Sequence, residues 1–159
     1  MTGKRMMMLL LALTLLLPGM ASAAVWTQTN GETNYSAVIE DDAELLDETQ
    51  YDGVMNTMMG ITAYCNVGFY TYGGSSTEYV GNKARQWGDN MFNGEYTLLI
   101  IDMATRQLMV YSSEEIYQII TQSKAYTITD NVYAYASGKE YAVFAETAFN
   151  QMLRILKGE

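Results

Sequence analysis

Apolar positions along this chain change period several times, and each change marks an element. Tyr51, Val54, Met55, Met58 and Met59 fall at helical spacing behind Asp47, with Gln50 in capping-box position and Gly60 closing the segment. Residues 64–72 carry β-forming Val67, Phe69, Tyr70, Thr71 and Tyr72 and run into Gly73-Gly74, which predicts a strand. Ser75 and Glu78 repeat the capping-box spacing ahead of Val80, Ala84, Trp87 and Met91, which share one face of a helix. A polar loop is expected over residues 88–94. The nearly continuous apolar run of residues 96–101 then suits a strand covered on both faces, as in a parallel sheet. Residues 102–105 read as a turn, and residues 106–111 as a strand returning antiparallel. Ser112 and Glu115 cap a short helix with Ile116, Ile119 and Ile120. Ile128, Val132, Tyr135 and Ala136 predict a second helix. Beyond Gly138 a last helix puts Ala142, Ala145, Phe149, Met152 and Leu156 on one side.

Strands alternating with helices predict an α/β fold in a single domain, with right-handed βαβ crossovers. The central antiparallel pair makes the sheet mixed, with about three to four strands flanked by helices. Residues 24–38 are polar and lack helical periodicity, so they read as an extended lead-in to a domain spanning residues 39–157. Before them, Lys4 and Arg5, an apolar run over residues 6–17, the break at Pro18-Gly19 and the A-x-A site Ala21-Ser22-Ala23 form a secretory leader, residues 1–23. The apolar run is shorter than the roughly 20 residues a membrane span needs. Cleavage after Ala23 and an extracytoplasmic location are therefore expected.

Net charge is −9, and loss of Lys4 and Arg5 with an acid-free leader takes it to −11. So acidic a surface repels nucleic acid and anionic lipid and favours cationic partners, divalent metals included. The chain has no histidine, which excludes Ser-His-Asp and Cys-His catalysis and histidine-bound zinc. Any acid–base work falls to carboxylates, Tyr or Lys, and any metal would be a hard cation on oxygen, calcium or magnesium. The single cysteine, Cys65, cannot form an intramolecular disulfide and reads as a small buried residue.

Candidate ligands fall in three places. Glu40-Asp41-Asp42 with Glu44 precedes the first helix, where acids either hold a cation or face the helix's positive end. Asp89, Asn90, Asn93 and Glu95 surround the loop before the buried strand. Asp102 stands where that strand emerges, the end at which α/β folds gather functional residues. Asp41, Asp42, Asp89, Asn93 and Asp102 are the candidate metal set, with Asp89 and Asn93 joining only if the fold brings their loop beside the first helix. Gly73-Gly74-Ser75-Ser76 lacks the Gly-x-x-x-x-Gly-Lys-Ser pattern, so no nucleotide cofactor is expected. Tyr133, Tyr135 and Tyr141 either form an aromatic binding surface or are partly buried.

Residues 39–46, Ile-Glu-Asp-Asp-Ala-Glu-Leu-Leu, resemble the opening I/V-x-D-x-A-x-L-L of TPM domains. Asn66-Val67-Gly68-Phe69, then Trp87-Gly88, Asn93-Gly94 and the apolar run of residues 96–101 are similar to that family in order and spacing. The later strand and helices extend the resemblance over residues 38–156. It implies a Rossmann-like α/β fold outside the cytoplasm. Plant relatives lie in the thylakoid lumen, are linked to photosystem II repair and are assigned acid phosphatase activity with calcium binding. Asp41 and Asn93 match the family by position, whereas Met91 and Phe92 stand where it often carries acids. The expected role is binding or assembly with an envelope protein or a divalent cation, and the competing role is a cation-dependent phosphomonoester hydrolase. Similar short bacterial members often end in a membrane-spanning helix, so membrane contact is expected only through an apolar segment beyond Glu159.

Overall fold

The computed structural model describes residues 23–159, and within them every strand lies beside its neighbours in the chain. The strands are β1 (Val25–Thr29), β2 (Ser36–Asp41), β3 (Asn66–Tyr72), β4 (Tyr96–Asp102) and β5 (Gln107–Ser112), in spatial order β1-β2-β3-β4-β5. β2, β3 and β4 are mutually parallel, while β1 and β5 close the two sides as antiparallel hairpin partners. The helices are α1 (Tyr51–Met59), α2 (Val80–Met91), α3 (Glu114–Tyr117), α4 (Gln122–Ser137) and α5 (Tyr141–Leu156). The fold is a mixed α/β sheet in one domain, with five strands rather than three to four.

Strand alternation sorts the core into two halves. Ile39, Val67, Phe69, Leu99 and Ile101 face a layer built by α1, α4 and α5, where Phe149 meets Phe69 edge-to-face at 6.1 Å. Val38, Leu98 and Ile100 face α2 alone, through Val80, Ala84 and Trp87. The α2 side is thin and aromatic. Trp87 stacks on Tyr70 at 5.1 Å, and its Nε1 donates to Glu40 at 2.7 Å. Gly68 makes that approach feasible, since a Cβ there would lie 2.4 Å from the Trp87 ring. β4 is buried along its whole length because both layers cover it, as its unbroken apolar run predicts.

The crossovers depart from expectation. α1 links β2 to β3 over one face and α2 links β3 to β4 over the other, while the strands advance in one direction. Two right-handed connections in that order would place both helices on the same face. One of the two is therefore left-handed, against the strong general preference. Apolar spacing within a helix says which side of the helix is buried, not which side of the sheet receives it.

Local differences have local causes. The stretch read as a lead-in is extended, but it belongs to the sheet. It forms β1, turns through Asn30 and Asn34, and enters β2. β1 is exposed at every position, so no alternation marks it. The Ser75–Glu78 box does not form. Ser76 Oγ instead accepts the Glu78 N–H at 3.2 Å inside a loop, and α2 starts at Val80. α2 also runs through Gly88 to Met91, with Phe92 buried behind it, where a polar loop was expected. The Asp47–Gln50 capping box is present and opens a 3-10 turn ahead of α1. The leader, Ala23 apart, lies outside the described residues. Among the described residues, no helix is long and apolar enough to cross a membrane.

Candidate functional site

In parallel sheets, ligands gather beyond the carboxyl ends of the strands, where successive connections leave toward opposite faces. Here that place lies between β2 and β3. The chain leaves β2 toward the α1 face and leaves β3 toward the α2 face. Asp41, Thr71, Tyr72 and Asp102 stand at this edge, with Asp41 level with Thr71 and Tyr72 level with Asp102.

Asp41 is buried, and both its carboxylate oxygens are engaged. Oδ1 accepts from the Leu45 N–H at 3.0 Å and the Thr71 hydroxyl at 2.5 Å. Oδ2 accepts from the Leu46 N–H at 2.8 Å and the Tyr51 hydroxyl at 3.1 Å. The carboxylate thus ties the loop after β2 to β3 and to the first turn of α1. Glu44 holds φ +51 within this loop. The Tyr51 hydroxyl is pushed up to about 12, first by burial and then by the Asp41 charge and hydrogen bond.

Asp102 is fully buried on the opposite face. Its Oδ2 meets the Lys83 ammonium at 2.7 Å, and its Oδ1 accepts the N–H groups of Ala104 and Thr105 at 2.9 and 3.2 Å. Burial alone would raise this carboxyl. The hydrogen bonds from Lys83 and Thr105, with the charge of Lys83, outweigh burial and hold it below its usual range. Lys83 also donates to the Ser76 carbonyl at 2.5 Å and sits 4.0 Å from the Tyr72 ring centre, so it pins the loop after β3.

The crevice is filled by its own loops. The Gly73 N–H donates to Asp42 at 3.0 Å, and a Cβ at Gly73 would fall 2.8 Å from the Asp42 carbonyl oxygen. Asp42 is exposed, yet it too bridges the loops.

Of the five candidate ligands, Asp41 and Asp42 are adjacent at one edge, and Asp102 shares that edge but projects to the other face. Asp89 and Asn93 are carried away, because α2 runs antiparallel to the strands and returns them to the opposite end of the sheet. There Asp89 accepts the Tyr96 hydroxyl at 2.8 Å, and the Asn93 carbonyl accepts Asn66 Nδ2 at 3.3 Å. Glu95 is held nearby by Ser113 and the Glu115 N–H. Among the described residues, no three carboxylate or cysteine side chains gather as a metal site. A calcium or magnesium ion does not fit this donor set, since hard cations need several free oxygens converging on one point.

Lys83 is the residue at this edge that sequence reasoning missed. Its signal was present: a lysine one helical turn from Val80 and Trp87, on an apolar face, requires a buried acid. Cys65 is a buried free thiol, pushed up to about 12 chiefly by burial, which keeps it protonated and unreactive.

No protein-family model matches the chain, and no curated protein does. Among solved structures, it is similar to the solution NMR structure of the N-terminal domain of a protein from P. gingivalis. The two share 19% identity over 76% of this chain and 82% of that one, with a TM-score of 0.59. That likeness shows the fold.

Proposed function

We propose that this chain is a TPM-like extracytoplasmic domain with a binding or assembly role at the cell envelope. The observation that carries the non-hydrolytic part is the state of the crevice carboxylates. Asp41 holds four internal hydrogen bonds, Asp102 is locked to Lys83, and the two project to opposite faces of the sheet. Neither has a free oxygen to polarise a phosphate or hold a cation. The leader supports the location, and the similar fold of the P. gingivalis domain agrees with a TPM-like reading.

The competing reading is a phosphomonoester hydrolase in which a carboxylate-held cation acts as Lewis acid. It is favoured by the position of Asp41 and Asp42 at the crevice, and it requires the loops after β2 and β3 to separate. Steady-state hydrolysis of an aryl phosphate, with and without calcium or magnesium, decides between them. The expected result is no turnover above the blank and equal melting curves in calcium chloride and ionic-strength-matched sodium chloride. Turnover that disappears in Asp41→Asn, with calcium-specific stabilisation, overturns the binding reading.

A further inference from the structure

Among the described residues, β5 is paired on one side only. The Ser113 N–H donates to the Tyr96 carbonyl at 2.9 Å, in register with the β4–β5 ladder. Antiparallel alternation then turns the backbone groups of Met109 and Tyr111 toward β4 and those of Leu108, Val110 and Ser112 outward. Helices wall this edge on both sides, the start of α2 on one and α4 on the other. They leave a groove of about 290 Å³ along residues 108–112, which continues toward Arg106 and Tyr133. Tyr79, Tyr126 and Tyr133 on its walls are 59%, 58% and 63% exposed.

Charge gives the groove a preference. Arg85 and Arg106 line it, and they are two of the three arginines in residues 23–159. Among the described residues neither forms a salt bridge, although the chain carries a net charge of −9. Asp130 also lines the α4 side. Arg106 holds its place at φ +58, a left-handed conformation that glycine adopts without penalty.

We propose that this groove takes an extended acidic segment of a partner protein as a sixth strand against β5. Outward N–H and C=O groups call for a strand, the mode of recognition in which main-chain bonds supply affinity. Tyrosine walls suit its side chains, and the two unpaired guanidiniums suit its carboxylates. Six residues of β5 offer a track of about 20 Å, enough for five or six extended residues. A second copy is a poorer occupant, because its own β5 is recessed between the same helices and wall would meet wall. This inference rests on reading the domain as a binding module and names the partner's chemistry.

The test uses the isotope-labelled protein, expressed as the full chain, and three capped octapeptides. The first alternates Val and Thr with two Glu, the second replaces each Glu by Lys, and the third is the first with alternate amides N-methylated. The Glu peptide should shift the amide resonances of Leu108, Val110 and Ser112. The Lys peptide should bind at least about tenfold more weakly, and the N-methylated one should not bind. Arg85→Glu with Arg106→Glu should invert the Glu/Lys preference while the fold, read by circular dichroism, is kept. Equal binding of Glu and Lys peptides, shifts confined to another surface, or occupation of β5 by self-association in sedimentation equilibrium each overturns the proposal. Aryl phosphate turnover that depends on Asp41 would instead overturn the underlying binding reading, so the two failures are separable.

Discussion

The crevice above β2–β4 and the groove beside β5 are both rimmed by polar side chains, and they differ in what those side chains touch. In the crevice, Asp41, Asp42, Asp102 and Lys83 are joined to backbone amides, hydroxyls and one another, and the loops they hold fill the space. Along β5, Arg85 and Arg106 form no ion pair among the described residues, the tyrosines are exposed, and alternate backbone groups lack a strand partner. The position that fold topology marks for ligands is thus the more closed of the two. A topological rule gives the place where a crevice can open; whether a ligand can enter depends on which polar groups are still free.

The sharpest way to break this contrast is at the crevice ion pair. Lys83→Met leaves Asp102 charged, buried and unpaired, and should cost about 3–5 kcal/mol in urea unfolding at neutral pH. The pH dependence has a definite sign. In the parent, the lowered Asp102 carboxyl contributes stability that is present above its unfolded value, near 4, and is lost as pH falls through its folded value. In the variant the same group is raised, so its penalty disappears as pH falls. The gap between the two proteins should therefore shrink in acid, and a gap independent of pH would mean that Lys83 acts by packing alone.

Asp41→Ala comes next. It leaves two backbone N–H groups and two hydroxyls without their acceptor, and should cost about 2–3 kcal/mol. It should also loosen the loops after β2 and β3 together, seen as faster amide exchange at Leu45, Leu46 and Gly73. Unchanged exchange at Gly73 would show that Asp42 holds that loop unaided.

An alkaline titration sharpens the picture with a smaller effect. Burial above all, together with neighbouring carboxylates, raises the hydroxyls of Tyr51, Tyr70, Tyr96 and Tyr111. A raised folded value means stability is fully present below the unfolded value near 10 and is lost as pH rises through the folded one, about 12 for Tyr51. Ultraviolet absorbance should show these tyrosines ionising late, and Asp41→Ala should bring Tyr51 down. The smallest change lies at the groove and has the opposite sign. Arg106→Gly relieves the left-handed backbone and should stabilise the fold by about 1 kcal/mol, while weakening capture of the acidic peptide. A destabilised Arg106→Gly would show that the guanidinium has a structural partner.

Periodicity made much of this fold legible. The buried run of β4, the Trp87 face of α2 and the Phe149 face of α5 each follow from apolar spacing, because each element buries one side or both. β1 was not legible, since it is held by main-chain pairing and buries no stripe. Asp41 and Asp102 could be recognised as strand-end acids, but not that β2 and β4, on either side of β3, would aim them at opposite faces. That depends on register, Asp41 beside Thr71 and Asp102 beside Tyr72, which spacing along a single strand does not contain. The groove was the least legible feature. Tyr79 just before α2, Arg85 within it, Met109 on β5 and Tyr126 on α4 meet only once the sheet edge is built.

Because strand order in space equals strand order in the chain, the sheet can extend one ladder at a time as the polypeptide is delivered N-terminus first. The side covered by α2 is complete once β5 has docked. The other side must wait for Phe144, Phe149 and Met152, which lie in the 44 residues between Ser112 and Leu156. At synthesis rates of roughly 5–20 residues per second, that face is covered only by α1 for about 2–9 s. Over that interval the nascent sheet is an apolar slab only partly covered on that side, and its fate is a race between arrival of the C-terminal helix and capture by a chaperone or another unfinished chain.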